Sequence, residues 1–276
     1  MSRTSPKYRI APSLLNSYQN LLDSDDNWEQ FYGGQEDPSI TSEDYYKKCE
    51  QELLDAINRV PFVSEAASKG TALNELVDCL VDKRKQREDM IVERVHRPMG
   101  SSVVYDEVPG GELFALQVGL DGFSFLFDIG LVRSLADYFK GASCQYRCEA
   151  LLDTSFGPII VYGDADYIRK DVVYDLKSTG NYSYPKFDKG WQKHLYPYAL
   201  LESGDLQSVS EFEYTVAQLK GGNSKSPLIT GDIYRERYDF HFEESKLKLR
   251  ETTEGLISWV EAHRNLITHK RIFNQE

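Results

Sequence analysis

Apolar residues recur at helical spacing through the first third of the chain. The segments 12–22 and 41–60 both place them three and four positions apart, and the second begins with a polar N-cap and acidic residues. The polar stretch 23–39 between these segments is predicted to be a loop. A third helix is predicted after Gly70, over "TALNELVDCLVDKRKQRED".

Beyond Pro98 the pattern changes to short β-prone runs of alternating or continuous apolar residues. Strands are predicted at "SSVVYDEV", "ELFALQVG", "FSFLFDI", "QYRCEALL", "PIIVYGDADYI", "DVVYDLKST", "EFEYTVAQLK" and "DIYRERYDFHF". Helices are predicted at "GLVRSLADYFKG", "KGWQKHLYPYALLES" and "EESKLKLRETTEGLISWVEAHRNLI". We therefore expect one α/β domain over 1–276, with a mainly helical part at 1–98 and a mixed central β-sheet flanked by helices at 99–276.

Composition narrows the function classes. The 276 residues carry a net charge of −12, which weighs against nonspecific coating of nucleic acid, so a polyanion would have to be held by a local basic patch or by metal ions. No run approaches the roughly 18 apolar residues of a membrane span, and the N-terminus lacks the apolar core of a signal peptide. We expect a cytoplasmic protein with no membrane partner. The four cysteines match no zinc or iron–sulfur spacing and are expected to be free thiols.

Charged residues interrupt two apolar runs in "VYGDADYIRKDVVYDLKSTG", residues 161–180. Residues i and i+2 of a strand share a face, so Asp164 and Asp166 point one way, as do Asp175 and Lys177. The short "RKD" connection allows the two strands to pair as a hairpin, which would bring Asp166 close to Asp175. One strand earlier, Glu149 shares a face with two other polar residues.

Carboxylates that converge on a sheet edge beside a lysine are what metal-assisted phosphoryl chemistry uses. Mg²⁺ takes oxygen ligands, often from only one or two carboxylates, and acidifies a bound water. A neighbouring lysine would orient that water or stabilise charge on phosphorus. The alternative is a solvent-exposed strand face, because an Asp-x-Lys pair on a strand is commonly a weak surface ion pair.

The order of motifs G-x-x-D (163–166), D-x-K (175–177) and Q-x-x-x-Y (192–196) resembles the PD-(D/E)XK nuclease superfamily. Within it, the chain resembles the RecB-like exonuclease branch. The segment "GTALNELVD" resembles the upstream helix of that branch, and "APSLLNSYQ" resembles its N-terminal segment. The resemblance implies a restriction-endonuclease-like core for the α/β domain, with the N-terminal helices as an elaboration.

The resemblance also implies roles for individual residues. Asp166 and Asp175 would be metal ligands together with the backbone carbonyl of Leu176, and Lys177 would be the catalytic lysine. Glu149 would be an additional acid near the metal, although its distance from the G-x-x-D motif varies within the family.

Three further residues have open interpretations. Gln192 and Tyr196, on one helix face, would position the substrate strand or the lysine, or would simply pack that helix on the sheet. The branch often carries a histidine metal ligand where this chain has Asn74. An amide oxygen is a weaker ligand, so Asn74 either coordinates the metal, bonds a metal-bound water, or lies at the rim of the apolar stripe. Relatives with an iron–sulfur cluster carry a cysteine quartet that this chain does not match, so no iron–sulfur cluster is expected.

The resemblance predicts a Mg²⁺- or Mn²⁺-dependent DNA exonuclease in recombination, repair or phage DNA processing, similar to standalone phage-type nucleases of the host cytoplasm. The net negative charge of the chain is compatible with a recombination partner protein or a homo-oligomer that confines the DNA. One alternative is a degenerate member of the fold that binds nucleic acid or protein without cutting, and another is an acidic interaction protein. The candidate phosphate-contacting and base-stacking residues are Lys83–Arg87, Lys186, Lys189, His269–Arg271, Tyr182, Tyr184 and Trp191.

Overall fold

A computed structural model describes residues 5–97 and 111–275. The strand predicted at "SSVVYDEV" lies outside these residues. Within them the chain forms a mixed α/β fold, as predicted, in which one large mixed sheet is flanked by helices on both faces.

Helices dominate the N-terminal part, but they differ in detail from the prediction. The helices of the whole chain are α1 (Pro12–Leu22), α2 (Ser24–Tyr32), α3 (Ser42–Ile57), α4 (Glu65–Asp82), α5 (Ile129–Tyr138), α6 (Gln192–Glu202) and α7 (Phe242–Ala262). The prediction of a loop at 23–39 was therefore wrong for α2, whose Trp28 indole N–H donates to the Ile40 carbonyl. Helix α4 begins five residues before Gly70, where the Ser64 hydroxyl caps it by accepting from Ala67 N.

The strands are β1 (Arg9–Ile10), β2 (Ile91–Arg97), β3 (Glu112–Leu120), β4 (Phe123–Asp128), β5 (Ser143–Thr154), β6 (Gly157–Arg169), β7 (Val172–Thr179), β8 (Glu211–Lys220) and β9 (Leu228–Asp239). Seven of the predicted strands are confirmed at these positions, whereas β1 and β2 were not predicted. The described sheet has the order β1-β6-β7-β8-β9-β4-β3-β2, and β5 pairs with β6.

Strand β6 has an unusual pairing pattern. Strand β5 follows one of its edges antiparallel from Thr154 to Ser143. On the other edge, β1 pairs in parallel only at 160–161, and β7 pairs antiparallel only at 167–169. No described strand pairs with residues 162–166 on that edge. A gap in the sheet therefore runs along the part of β6 that carries the G-x-x-D motif.

Two hydrophobic clusters fill the two faces of the sheet. One cluster packs α1, α3, α6 and α7 against the sheet, with Leu15, Leu53, Leu195 and Leu256 fully buried. The other packs α4 and α5 against the opposite face through residues such as Leu73 and Leu135. Side chains that belong to the motifs are thus held between two packed layers.

Among the described residues, no helix is both long enough and apolar enough to cross a membrane.

Candidate metal centre

The two motif aspartates meet where β6 and β7 separate. The β6–β7 ladder pairs Tyr167 with Tyr174 and continues toward the turn, but it does not extend to Asp166. Instead the Asp166 carboxylate accepts a hydrogen bond from the Leu176 amide, with Oδ2 at 2.8 Å from N. A side chain thus satisfies a backbone donor at the point where the ladder stops. The predicted proximity of Asp166 to strand β7 is confirmed.

Asp175 and Lys177 lie on a central strand and not on a solvated face. Strand β7 is paired with β8 along its whole length, with Asp175 opposite Tyr214 and Lys177 opposite Val216. The Asp175 side chain is only 5% exposed and that of Lys177 is 27% exposed. Their charged atoms, Oδ2 and Nζ, are 2.6 Å apart. The pair is therefore not the weak surface ion pair of the alternative interpretation.

The electrostatics of the three charges are coupled. Burial raises the pKa of Asp166 above its ordinary value, and the nearby negative charge of Asp175 raises it further. Burial alone would lower the pKa of Lys177, but the charges of Asp175 and Asp166 outweigh burial and raise it. At neutral pH Lys177 is consequently an ammonium ion, which donates hydrogen bonds and cannot act as a general base. Two ionised carboxylates beside a single lysine would place excess negative charge in a buried place, and either a proton on Asp166 or a bound cation relieves it.

Helix α4 contributes Asn74 to the same place. The Asn74 amide nitrogen donates to the Leu176 carbonyl at 3.3 Å. Its amide oxygen Oδ1 is buried and accepts no hydrogen bond from any described residue. A buried acceptor without a donor is costly unless it meets a ligand. The close approach of α4 to β7 depends on Gly70, where an added Cβ would lie 2.8 Å from Ser178 Oγ.

The oxygens present fit a hard divalent cation. They are two carboxylates, the Leu176 carbonyl and Asn74 Oδ1, all types that Mg²⁺ and Mn²⁺ prefer. No group of three or more His, Cys, Asp or Glu side chains in metal-binding arrangement occurs in residues 5–97 and 111–275. That observation argues against a zinc-type cage and is compatible with Mg²⁺, which commonly uses two carboxylates and keeps water for its remaining positions.

Glu149 does not join this group. It lies opposite Tyr162 on β5, four residues along β6 from Asp166, which corresponds to about 13 Å at the strand rise. Its carboxylate contacts Arg9 closely and is 3.9 Å from the Arg147 guanidinium. The reason is the length of β5: the G-x-x-D aspartate is opposite Gln145 and not opposite Glu149. The structure therefore does not support the expected role of Glu149 as a metal ligand.

Tyr196 packs against the strand that carries the motif. Its ring lies so close to Gly163 that an added Cβ would be 2.4 Å from Tyr196 Cε1. A side chain at position 163 would collide with this ring, so the glycine of the G-x-x-D motif and the tyrosine of the Q-x-x-x-Y motif pack directly on each other. Tyr196 is buried in the core cluster, so the packing interpretation of this residue is supported.

Gln192, one turn earlier on α6, connects three elements. Its Oε1 lies 3.3 Å from Asn16 Nδ2 of α1 and 3.4 Å from the Tyr214 hydroxyl of β8. The Asn16 Oδ1 in turn accepts from Trp191 N at 2.9 Å. The described contacts of Gln192 thus hold α6 in place beside the site. His194, on the same helix, bonds Ser245 through Nδ1 at 2.9 Å.

A polar network on α4 was not predicted from the sequence. Asp78 is 2% exposed and accepts from the Tyr167 hydroxyl at 2.5 Å. Gln145 Nε2 bridges Asp78 Oδ2 at 3.1 Å and Asp166 Oδ1 at 3.4 Å. Burial raises the pKa of Asp78 to about 6. Asp78 follows Asn74 by four residues and so shares its helix face, which was the available signal.

The predicted basic and aromatic candidates have mixed outcomes. Arg84 makes two hydrogen bonds to Glu75, Arg87 pairs with Asp89, and Lys189 pairs with Asp23. Asp164 is exposed and pairs with Arg147 at 3.1 Å. Three other candidates of the 181–191 loop are Tyr182, which stacks on Tyr234 with centroids 4.8 Å apart, Tyr184, which is 69% exposed, and Lys186, whose ammonium bonds Thr179 Oγ1. Trp191 is buried in the core cluster, where it is not available to stack on a base.

Comparisons with known proteins add little. No protein-family model matches the chain, and no curated protein matches it. A solved structure described as "Crystal structure of SSO0001" is similar to it at 10% identity, with a TM-score of 0.38, over 94% of this chain and 79% of that chain. A similarity this low supports no conclusion about activity.

Proposed function

We propose that this chain is a divalent-metal-dependent nuclease of the PD-(D/E)XK type, with a restriction-endonuclease-like core and DNA as its substrate. The observation that carries the proposal is the buried group formed by Asp166, Asp175 and Lys177, whose two carboxylates have few hydrogen-bond donors among the described residues. Its motif order is the one that resembles the RecB-like exonuclease branch, and exonuclease action is the specific expectation.

The donor set suggests how the site would work. Asp166, Asp175 and the Leu176 carbonyl would hold Mg²⁺ or Mn²⁺, and Asn74 Oδ1 offers a further oxygen. The chemistry that such an ion supplies when bound is polarisation of a phosphoryl oxygen and acidification of a water.

Lys177 has a defined part in this proposal. Because its pKa is raised, it carries a proton on Nζ and acts as a donor. Its ammonium would orient the attacking water or bind the oxygen on which charge develops. Asp175, 2.6 Å away, fixes the lysine in position. The lysine does not act as a general base in this mechanism.

A second candidate function is binding of nucleic acid or protein without cleavage, and Asn74 is the observation that favours it. An amide oxygen replaces the imidazole found in many relatives and binds metal more weakly. The buried Asp166–Asp175 pair supports the nuclease instead, since a protein that only binds gains nothing from burying Asp166 beside a second carboxylate that raises its pKa.

The test is cleavage of end-labelled linear DNA and covalently closed circular DNA, with EDTA, Mg²⁺ or Mn²⁺. Lys177→Ala is compared with Lys140→Ala, a matched removal of an exposed lysine just after α5. We expect metal-dependent loss of linear DNA alone, reduced by at least about 100-fold in Lys177→Ala and unchanged in Lys140→Ala. Cleavage of the circle would identify an endonuclease.

Absence of cleavage with every metal, in a protein whose melting curve shows it to be folded, would contradict the nuclease proposal and favour the binding function.

A further inference from the structure

An arginine-lined cavity lies at the other end of the same stretch of β6. It has a volume of about 380 Å³ and is lined by Arg9, Arg59 and Arg271, with Tyr162 between them. None of these arginines is contributed by the metal-centre motifs. The cavity brings together the start of β1, the end of α3 and the C-terminal segment, which are far apart in the sequence.

Tyr162 organises the arginines. The guanidinium of Arg9 lies 4.6 Å from the centre of the Tyr162 ring, that of Arg147 also 4.6 Å, and that of Arg271 5.0 Å. Arg271 Nε also donates to the Tyr162 hydroxyl at 2.9 Å. These contacts hold the three guanidinium groups around one ring, and a guanidinium is the group that binds phosphate in a planar, bidentate manner.

The carboxylates near these arginines do not cover the cavity. Glu149 contacts Arg9 and Arg147, and Asp164 pairs with Arg147. Glu149 is thus paired with Arg9 as well as Arg147, and Asp164 with Arg147, but neither acid lines the cavity. Arg59 is exposed and makes no ion pair with any residue in 5–97 or 111–275. Arg59 thus adds positive charge at a place where a protein of net charge −12 would need it to hold a polyanion.

The first turn of α1 adds to this field. Ala11, at the N-cap position, provides no side-chain cap, and no acidic residue occupies the first turn. Ala11 and Ser13 both line the cavity. The partial positive charge of the helix terminus therefore adds to that of the three arginines and is not neutralised by a neighbouring carboxylate of the helix.

The position of the cavity relates it to the metal centre. Tyr162 and Asp166 both belong to 162–166, the part of β6 without a neighbour on the β1–β7 edge. Four residues of strand separate the cavity from Asp166, or about 13 Å, which is about four nucleotide rises of a DNA strand. A strand cut at the metal centre would reach the cavity with a phosphate a few nucleotides away.

We propose that this cavity binds a phosphate group of the substrate strand, either a terminal phosphomonoester or an internal phosphodiester, and holds the strand in register with the metal centre. This inference builds on the proposed function, since it assumes a nucleic-acid substrate. It is nevertheless tested by binding in EDTA, where no cleavage occurs, so the two proposals can fail separately.

The experiment measures fluorescence anisotropy of labelled 12-nucleotide strands at several NaCl concentrations, for wild type, Arg59→Gln and Arg133→Gln. Arg133 is an exposed arginine of α5 with no ion pair in the described residues, so it provides the same charge change elsewhere. We expect Arg59→Gln to weaken binding and to lower the slope of log K against log[NaCl] by about 0.7, the contribution of one single-strand phosphate contact. Arg133→Gln should match wild type.

Three strands distinguish the source of the phosphate: one with a 5′-phosphate, one with a 3′-phosphate and one with hydroxyls at both ends. A deficit of Arg59→Gln confined to one phosphorylated strand assigns the cavity to that terminus. An equal deficit on all three assigns it to an internal phosphodiester.

Equal affinity and equal slope for Arg59→Gln, Arg133→Gln and wild type would overturn the inference, even if the protein cuts DNA. So would the absence of any binding by wild type. Arg271→Gln is a second variant, and melting temperatures of all variants separate a lost contact from a lost fold.

Discussion

Two groups of buried acidic residues in this protein differ in the hydrogen bonds that their surroundings donate to them. Glu213 and Glu236, on β8 and β9, are both 0% exposed. Glu213 accepts from the Tyr138 hydroxyl, from Thr215 Oγ1 and from Arg237 Nε, all within 2.9 Å. Hydrogen bonds thus compensate the cost of burying this charge.

Glu236 is satisfied in another way. It accepts from the backbone amides of Lys186 and Phe187 at 2.7 and 3.0 Å, and from the Tyr238 hydroxyl at 2.9 Å. Its carboxylate therefore fixes the loop that precedes α6, including the basic and aromatic residues near the candidate site.

The acids at the junction of β6 and β7 have fewer donors. Asp166 accepts from one backbone amide and weakly from Gln145, and among the described residues Asp175 has only Lys177. Asn74 Oδ1 has none. The difference suggests that the first group stabilises the fold, whereas the second is stabilised only when a cation binds. Substitutions should therefore have opposite effects on stability in the two regions.

The largest expected effect is for Glu213→Ala. It leaves Tyr138, Thr215 and Arg237 without their shared acceptor, and loss of one partner from a buried charged network costs about 3 kcal/mol or more. We expect the free energy of unfolding, measured by urea denaturation, to fall by about this amount. A decrease in the free energy of unfolding of less than about 1 kcal/mol would mean that the Glu213 carboxylate does not stabilise the fold as described above.

A smaller loss is expected for Glu236→Gln. In this variant, one of the two backbone amides that donate to Glu236 would face an amide N–H₂ group in place of an oxygen. The lost hydrogen bond costs about 1–2 kcal/mol. The 181–191 loop should loosen, so trypsin should cleave faster after Lys186 and Lys189 in native protein. Affinity for Mn²⁺ should remain that of wild type, and a lost affinity would show that the two regions are not independent.

The third substitution, Asp166→Asn, should raise stability by about 1 kcal/mol without metal. It removes the repulsion from Asp175, and the Asn oxygen still accepts from Leu176 N. The pH dependence gives a sharper test. Because the folded-state pKa of Asp166 is raised, the folded protein holds this proton more strongly, and its stability falls as pH rises from the ordinary carboxyl pKa of 3.8 through the raised value.

Asp166→Asn lacks that proton, so its stability advantage over wild type should grow between pH 4 and pH 8. Urea denaturation at both pH values measures this advantage. A stability advantage that shrinks as pH rises would contradict the raised pKa of Asp166.

Much of the site hairpin could be predicted because strand alternation is local. Asp166, Asp175 and Lys177 fall on predicted strands with a short turn between them, and the structure brings them together as expected. The error for Glu149 has a physical cause: the register of β5 against β6 is set by the whole length of both strands, and no local signal in the sequence fixes it.

Other features depend on contacts between distant segments. Gln145 and Asp78 meet Asp166 only because α4 packs across the sheet, and Asn16 meets Gln192 across 176 residues. Helix α2 was not predicted because its polar sequence has little apolar periodicity. Its buried residue is Ser24, a polar residue at the start of the helix, which gives no apolar signal. The arginine cavity likewise joins three distant parts of the chain, of which only 269–271 was among the sequence candidates.

The most direct test of the account is calorimetric titration of Mn²⁺ into wild type, Asp166→Asn and Asp37→Asn at pH 7. Asp37 is an exposed loop residue with no described side-chain contact, so its substitution controls for the charge change. The account predicts that wild type and Asp37→Asn bind Mn²⁺ alike and that Asp166→Asn binds it at least about tenfold more weakly. Equal affinity in all three proteins, or no binding by wild type, would contradict a metal centre at the β6–β7 junction.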